Sequence, residues 1–153
     1  MKAKVAVFLI GCSIKGTPRK GDVPRERDDG KKNLNGVIKD IFNCAIFFRE
    51  KKGFTIIQKM DGIENDVRIV DKKLGEFFLR SDFDTFLVYY SGHGRDRDGA
   101  WSFDNGHLTP GRVFKRWRHA NKLKNKRLVI ISDSCHSGKW IDSFRGHRGN
   151  FMI

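Results

Sequence analysis

Two short segments of the chain carry residue types suited to covalent chemistry: Tyr90-Ser91-Gly92-His93-Gly94 and Ser132-Asp133-Ser134-Cys135-His136-Ser137-Gly138. A thiolate is a strong nucleophile, and an imidazole within reach can take the thiol proton and later return it to a leaving amine. The neighbours suit that task. Gly92 and Gly94 let the backbone turn tightly against a substrate, and the amides of Gly94 and Cys135 could both donate to a developing oxyanion. The small residues Ser134, Ser137 and Gly138 leave the sulfur reachable. Taken alone, Cys135 reads as a small core hydrophobe and His93 as a satisfied loop histidine. The pair, with these glycines, favours a site.

Such a site needs elements that bring the two segments together. Lys4 to Ile10 is a nearly continuous apolar run ending at Gly11, the pattern of a strand buried on both faces of a parallel sheet. Gly11 to Asn33 has no hydrophobic period and reads as a long loop rich in Gly, Pro and charge. Leu34, Val37, Ile38, Ile41, Phe42, Ala45 and Ile46 then recur at helical spacing, with Gly53 placed as a stop. A second strand over Phe54 to Gln58 precedes a helix from about Asn65, whose stripe is Val67, Val70, Leu74, Phe77 and Phe78. The third strand covers Thr85 to Tyr90. Asp104-Asn105-Gly106 makes a small hairpin of Gly99 to Leu108, and Thr109-Pro110 opens a third helix with Val113, Phe114 and Trp117 inward. Arg127 to Ser132 is the fourth strand.

Four strands alternating with helices predict an α/β fold, a parallel-stranded sheet with helices on both faces. Ligand chemistry in such sheets gathers at the carboxyl ends of the strands. The histidine segment leaves strand three and the cysteine segment leaves strand four, so neighbouring strands would set His93 and Cys135 face to face across the rim.

Composition limits the alternatives. With 153 residues, 39% hydrophobic and 32% charged, the chain reads as one globular domain over residues 1–153, not a disordered or collagen-like one. Three cysteines, at positions 12, 44 and 135, make no disulfide framework and suit a reducing compartment, so a cytoplasmic protein is expected. Val5 to Ile10 is far shorter than the roughly 20 residues of a membrane helix, and no membrane partner is expected. The net charge of +13 would attract nucleic acid, but its lysines and arginines are spread over Lys15 to Lys32, Arg49 to Lys52 and Arg112 to Arg127, with no single block and no aromatic interleaving like that of an RNA-binding sheet. A solvated basic surface is the better reading, and nucleic acid is not the expected partner.

Tyr-Ser-Gly-His-Gly followed by Asp-Ser-Cys-His-Ser-Gly resembles the catalytic segments of caspase-like cysteine peptidases, in the form found in the metacaspase branch. Leu9 to Thr17 is similar to the first strand and turn of metacaspases, and Leu34 to Asp40 to their Leu-x-Gly-Cys-x-Asn-Asp segment. The resemblance implies a caspase-like fold and an endopeptidase in which Cys135 attacks the scissile carbonyl and His93 is the acid and base. It maps the specificity pocket onto Asp40, Ser91 and Asp133. Two carboxylates there imply cleavage after Arg or Lys, because a mismatched residue would leave a charge unpaired. By spacing alone, Asp133 could lie on the rim with Cys135, while Asp40 could equally be a solvated helix carboxylate.

The departures are informative. Val37 stands where metacaspases usually carry a pocket cysteine, and Lys39 replaces the Asn before Asp40. No cofactor is required by the chemistry. Calcium-dependent members use several aspartates; Asp142 fits one such position and keeps a calcium site open as an expectation, although one carboxylate falls short of the oxygen shell calcium prefers. Family members continue past the nucleophile into a small-subunit portion whose strands are absent from this sequence. The expected partners are therefore a protein or peptide substrate and, over the open edge of strand four, a small-subunit chain or a second copy. The alternative function is a non-enzymatic or incomplete caspase-like scaffold or regulatory subunit that needs a partner chain. A phosphate loop fails because Arg19 is one position too far from Cys12, and a zinc site from His93, His107, Cys135 and His136 lacks compact ligand spacing.

Overall fold

The computed structural model describes residues 3–13, 36–60, 66–122, 125–145 and 151–152. Most of the expected long loop, with its basic residues, and the start of the first helix at Leu34 lie outside them.

Strand β1 (Val5–Cys12) is buried almost throughout, which accounts for its unbroken apolar sequence. It pairs in parallel with β2 (Thr55–Met60) on one side and β3 (Thr85–Gly92) on the other. Further along, β3 pairs in parallel with β6 (Arg127–Asp133). The four expected strands thus form one parallel sheet in the order β2-β1-β3-β6. A short fifth, β7 (Phe151–Met152), extends it by pairing with Leu128 and Val129 of β6. Above that level, Ile130 to Asp133 has no strand on the side away from β3 among the described residues. The first strand runs two residues past its expected end at Ile10, because Gly11 and Cys12 continue the ladder opposite Ser91 and Gly92.

Alternation along the strands divides the core in two. Ala6, Phe8, Ile10, Phe86, Val88, Tyr90, Leu128 and Ile130 face helices α2 (Val67–Phe78), α3 (Pro110–Asn121) and α4 (Gly138–Phe144). Val7, Leu9, Leu87 and Tyr89 face helix α1 (Val37–Ile46) and the π-helical turn Phe47–Lys51 that follows it. Gly53 ends this segment in a left-handed conformation (φ 65°), its amide donating to the Arg49 carbonyl at 3.1 Å. The hairpin is strands β4 (Trp101–Phe103) and β5 (Gly106–Leu108). Its turn residue Asn105 accepts the Val67 amide through Oδ1 at 2.8 Å, fastening the hairpin to the start of α2.

Thr109 caps α3, accepting from the Arg112 amide at 3.2 Å, with Pro110 in the first turn where no donor is needed. Asp71 of α2 is buried, and Arg112 (2.9 Å) and Arg116 (2.6 Å) of α3 clamp it. Among the described residues, no helix is long and apolar enough to cross a membrane.

Candidate active site

The register of β3 with β6 sets Ser91 opposite Asp133. His93 and Cys135 are each two residues further on, so they leave adjacent strands at one level. Cys135 is exposed at the rim, whereas His93 is half-buried.

The histidine segment is fixed through its backbone. The His93 carbonyl accepts both the Tyr90 hydroxyl (2.9 Å) and the Ser102 amide (3.0 Å). Gly94 forms an antiparallel bridge with Trp101. A Cβ on Gly94 would overlap the Cys135 carbonyl oxygen and stand 3.0 Å from its carbon and 3.1 Å from Ser134 Oγ. The two segments are therefore in backbone contact, at a distance only glycine permits.

The cysteine segment is fixed from its other side. His136 adopts a left-handed conformation (φ 59°), turning the chain from β6 into α4. Its carbonyl lies against Gly99, where a Cβ would come within 2.6 Å and where φ is itself 69°. The Trp140 indole donates to the Gly99 carbonyl at 2.7 Å, and the Lys139 ammonium donates to the carbonyls of Asp96 and Arg97. Arg95 bonds Asp98 at 2.9 Å through Nε; that hydrogen bond outweighs partial burial and, with the Ala100 amide, lowers the Asp98 carboxyl to about 2. The stretch from Arg95 to Ala100 thus braces the turn that carries Cys135.

On the α1 face of the sheet, the three remaining expected site residues come together. The Ser91 hydroxyl donates to Asp40 Oδ2 and the Tyr89 hydroxyl to Asp133 Oδ2, each at 3.3 Å. Among the described residues, the side-chain donors to Asp40 and Asp133 are neutral hydroxyls and not lysines or arginines. Two further residues line this cluster, Tyr89 and Cys44. Burial, then the neighbouring Cys44, holds the Tyr89 phenol well above its usual range, which keeps it a donor. Burial raises the Cys44 thiol, and a hydrogen bond with Tyr89 partly offsets that rise. Sequence reasoning passed over both. The period of two that places Tyr89 beside Ser91, and the four-residue step from Asp40 to Cys44 on a helix, are the signals that point to them.

Asp142 stands apart, exposed on α4 and 3.6 Å from Arg145. Among the described residues no three His, Cys, Asp or Glu side chains gather as metal ligands would.

Residues 24–149 match the family model described as the caspase domain. Aspergillus niger metacaspase-1B is 25% identical over 158 residues, a match covering 88% of this chain and 33% of that protein. Danio rerio transmembrane protein 168-A is 30% identical over 70 residues, covering 45% of this chain and 10% of that protein. Among solved structures, one from Geobacter sulfurreducens superposes with a TM-score of 0.58 at 22% identity, covering 99% of this chain and 58% of its own. The Drosophila initiator caspase Dronc superposes at 0.51 and 14% identity, covering 84% and 52%. The chain spans a third or less of the curated relatives and little over half of the structural ones.

Proposed function

The chain belongs to the caspase-domain family, and from that premise we propose that it is a cysteine endopeptidase that hydrolyses peptide bonds after Arg or Lys. Cys135 is the nucleophile and His93 the proton carrier. His93 takes the thiol proton as the sulfur attacks the scissile carbonyl, and the oxyanion forms against the amides of Gly94 and Cys135. The tetrahedral intermediate collapses as the imidazolium gives its proton to the leaving amine, leaving a thioester on Cys135. Water, deprotonated by His93, then releases the acid and restores the thiol.

The observation that carries this reading is the contact of Gly94 with the backbone of Cys135. It joins the histidine segment to the backbone that carries the thiol, which supports a site where a carbonyl meets nucleophile and amide donors together. Selection rests on Asp40, Ser91 and Asp133. Among the described residues hydroxyls and not cations meet the two carboxylates, which supports their pairing with a guanidinium or ammonium of the substrate.

None of these steps requires a cofactor, and Asp142 alone supplies too few oxygens for calcium. The partner is a protein or peptide substrate. The stretch Ile130 to Asp133 is where an added strand, from a small-subunit chain or a second copy, would pair. A thiol nucleophile suits the reducing cytoplasm.

The test is hydrolysis of matched fluorogenic peptides ending in Arg or Asp, with and without calcium, using Cys135→Ala as the blank. Cleavage after Arg that disappears in Cys135→Ala and in His93→Ala is expected. Silence on both substrates from a folded protein, or turnover that survives in Cys135→Ala, would overturn the assignment.

A further inference from the structure

Behind the rim, on the face away from Asp40 and Asp133, Trp101 is fully buried between two aromatic rings. Tyr90 stacks on it with centroids 4.8 Å apart and Trp140 with centroids 4.2 Å apart. Its backbone bridges Gly94, and its indole N–H donates to Ser132 Oγ at 2.9 Å. Ser132 Oγ lies 3.0 Å from Ser134 Oγ.

An indole nitrogen only donates, so Ser132 accepts from it, and Ser132 and Ser134 share the next hydrogen bond, in which either hydroxyl can be the donor. Each bond in such a chain polarises the next. At its far end, Ser134 Oγ packs against Gly94, 3.1 Å from the place a Cβ would take. One buried ring thereby holds both segments: the histidine segment through the backbone bridge, the cysteine segment through two hydroxyls.

We propose that Trp101, Ser132 and Ser134 are positioning residues, a relay that sets the gap between the Gly94 amide and Cys135. The proposal rests on the peptidase reading of the site. Its physical basis is that, among the described residues, no strand pairs with β6 beyond Val129 on its outer side, and the end that carries Cys135 is held from the β3 side. A rotation of that end would move the thiol away from the oxyanion donor without disturbing the core.

Alternation along β6 makes the proposal testable. Ser132 faces the aromatic stack and Asp133 the acidic cluster, so loss of the relay leaves substrate selection in place. Ser134→Ala and Ser132→Ala are each expected to lower kcat for an Arg peptide about tenfold with KM held within about twofold. The double variant is expected to be no slower than the slower single one, because the relay acts as one unit. Peptide-mapped alkylation of Cys135 by iodoacetamide at neutral pH should slow in both single variants.

An unchanged kcat in either single variant, a rise in KM matching the fall in kcat, or losses that multiply in the double variant would overturn the relay. If the wild-type protein cleaves no Arg peptide, or Cys135→Ala cleaves it equally, the peptidase reading fails instead. The alkylation rate then decides the relay alone: slower in both variants upholds it, and unchanged overturns it.

Discussion

Replacing Gly94 by alanine tests the central contact directly. The added Cβ would overlap the Cys135 carbonyl oxygen and stand 3.0 Å from the attached carbon. Both are backbone atoms, so no side chain can swing aside. Relieving the overlap requires the two segments to part by more than about 1 Å, and a displacement of that size between reacting groups costs on the order of 10²-fold in rate. That corresponds to about 2.7 kcal/mol of transition-state stabilisation. The assay is kcat/KM for an Arg peptide, with circular dichroism and a thermal melt to establish folding. Gly111→Ala is the control, since nothing lies within 4 Å of a Cβ there. It should retain full activity and, in the first turn of α3, gain up to about 1 kcal/mol of stability. A folded Gly94→Ala protein with kcat/KM within about threefold of wild type would refute the reasoning that the contact sets the catalytic geometry.

Three further outcomes follow from groups on either side of this contact. Asp133→Asn should raise KM for an Arg peptide about tenfold, as expected for losing a charge-assisted hydrogen bond, and change kcat little; a steady-state comparison with an uncharged substrate measures it, and unchanged selectivity would make Asp133 structural. Asp71→Asn should lower unfolding stability in urea by about 2 kcal/mol, the loss being moderated because Arg112 and Arg116 remain about half exposed and can turn to water. Acid should loosen the brace formed by Arg95 to Ala100. Asp98 has its pKa depressed to about 2 in the fold, so its contribution is complete above the unfolded value near 4 and fades as pH falls towards 2. Thermal melts between about pH 5 and 2 should fall less steeply in Asp98→Asn than in wild type, and parallel curves would exclude the contribution.

The strands were most legible where β1 and β3 are buried on both faces, which writes a continuous apolar run into each. The His93 and Cys135 segments were legible for a related reason: in a parallel sheet, chemistry collects where strands end, and glycines mark where backbones approach. Helix α4 escaped notice because it is seven residues long and Ser137 offers no side-chain cap, leaving neither period nor start signal. Strand β7 is two residues long and has no alternation to read. Tyr89 and Cys44 look like ordinary core residues in one dimension; only the fold, by setting α1 over the end of β3, turns them toward a carboxylate. Trp101 and Ser132 are 31 residues apart, and no local pattern links them.

The alternation of β3 and β6 also separates two demands that would conflict on one surface. Selecting a cation calls for carboxylates that are accessible and not already neutralised, and a chain with net charge +13 has many lysines and arginines that could neutralise them. Among the described residues, Tyr89 and Ser91 each meet one oxygen of an acid with a neutral hydroxyl, which orients the carboxylate without pairing it to a cation. The proposed alignment of a thiol with an amide donor calls for the opposite environment, a dry and rigid support, and the residues one step along the same strands, Tyr90 and Ser132, face the stacked tryptophans. Changes on the α1 face should therefore act on KM, and changes on the aromatic face should act on kcat.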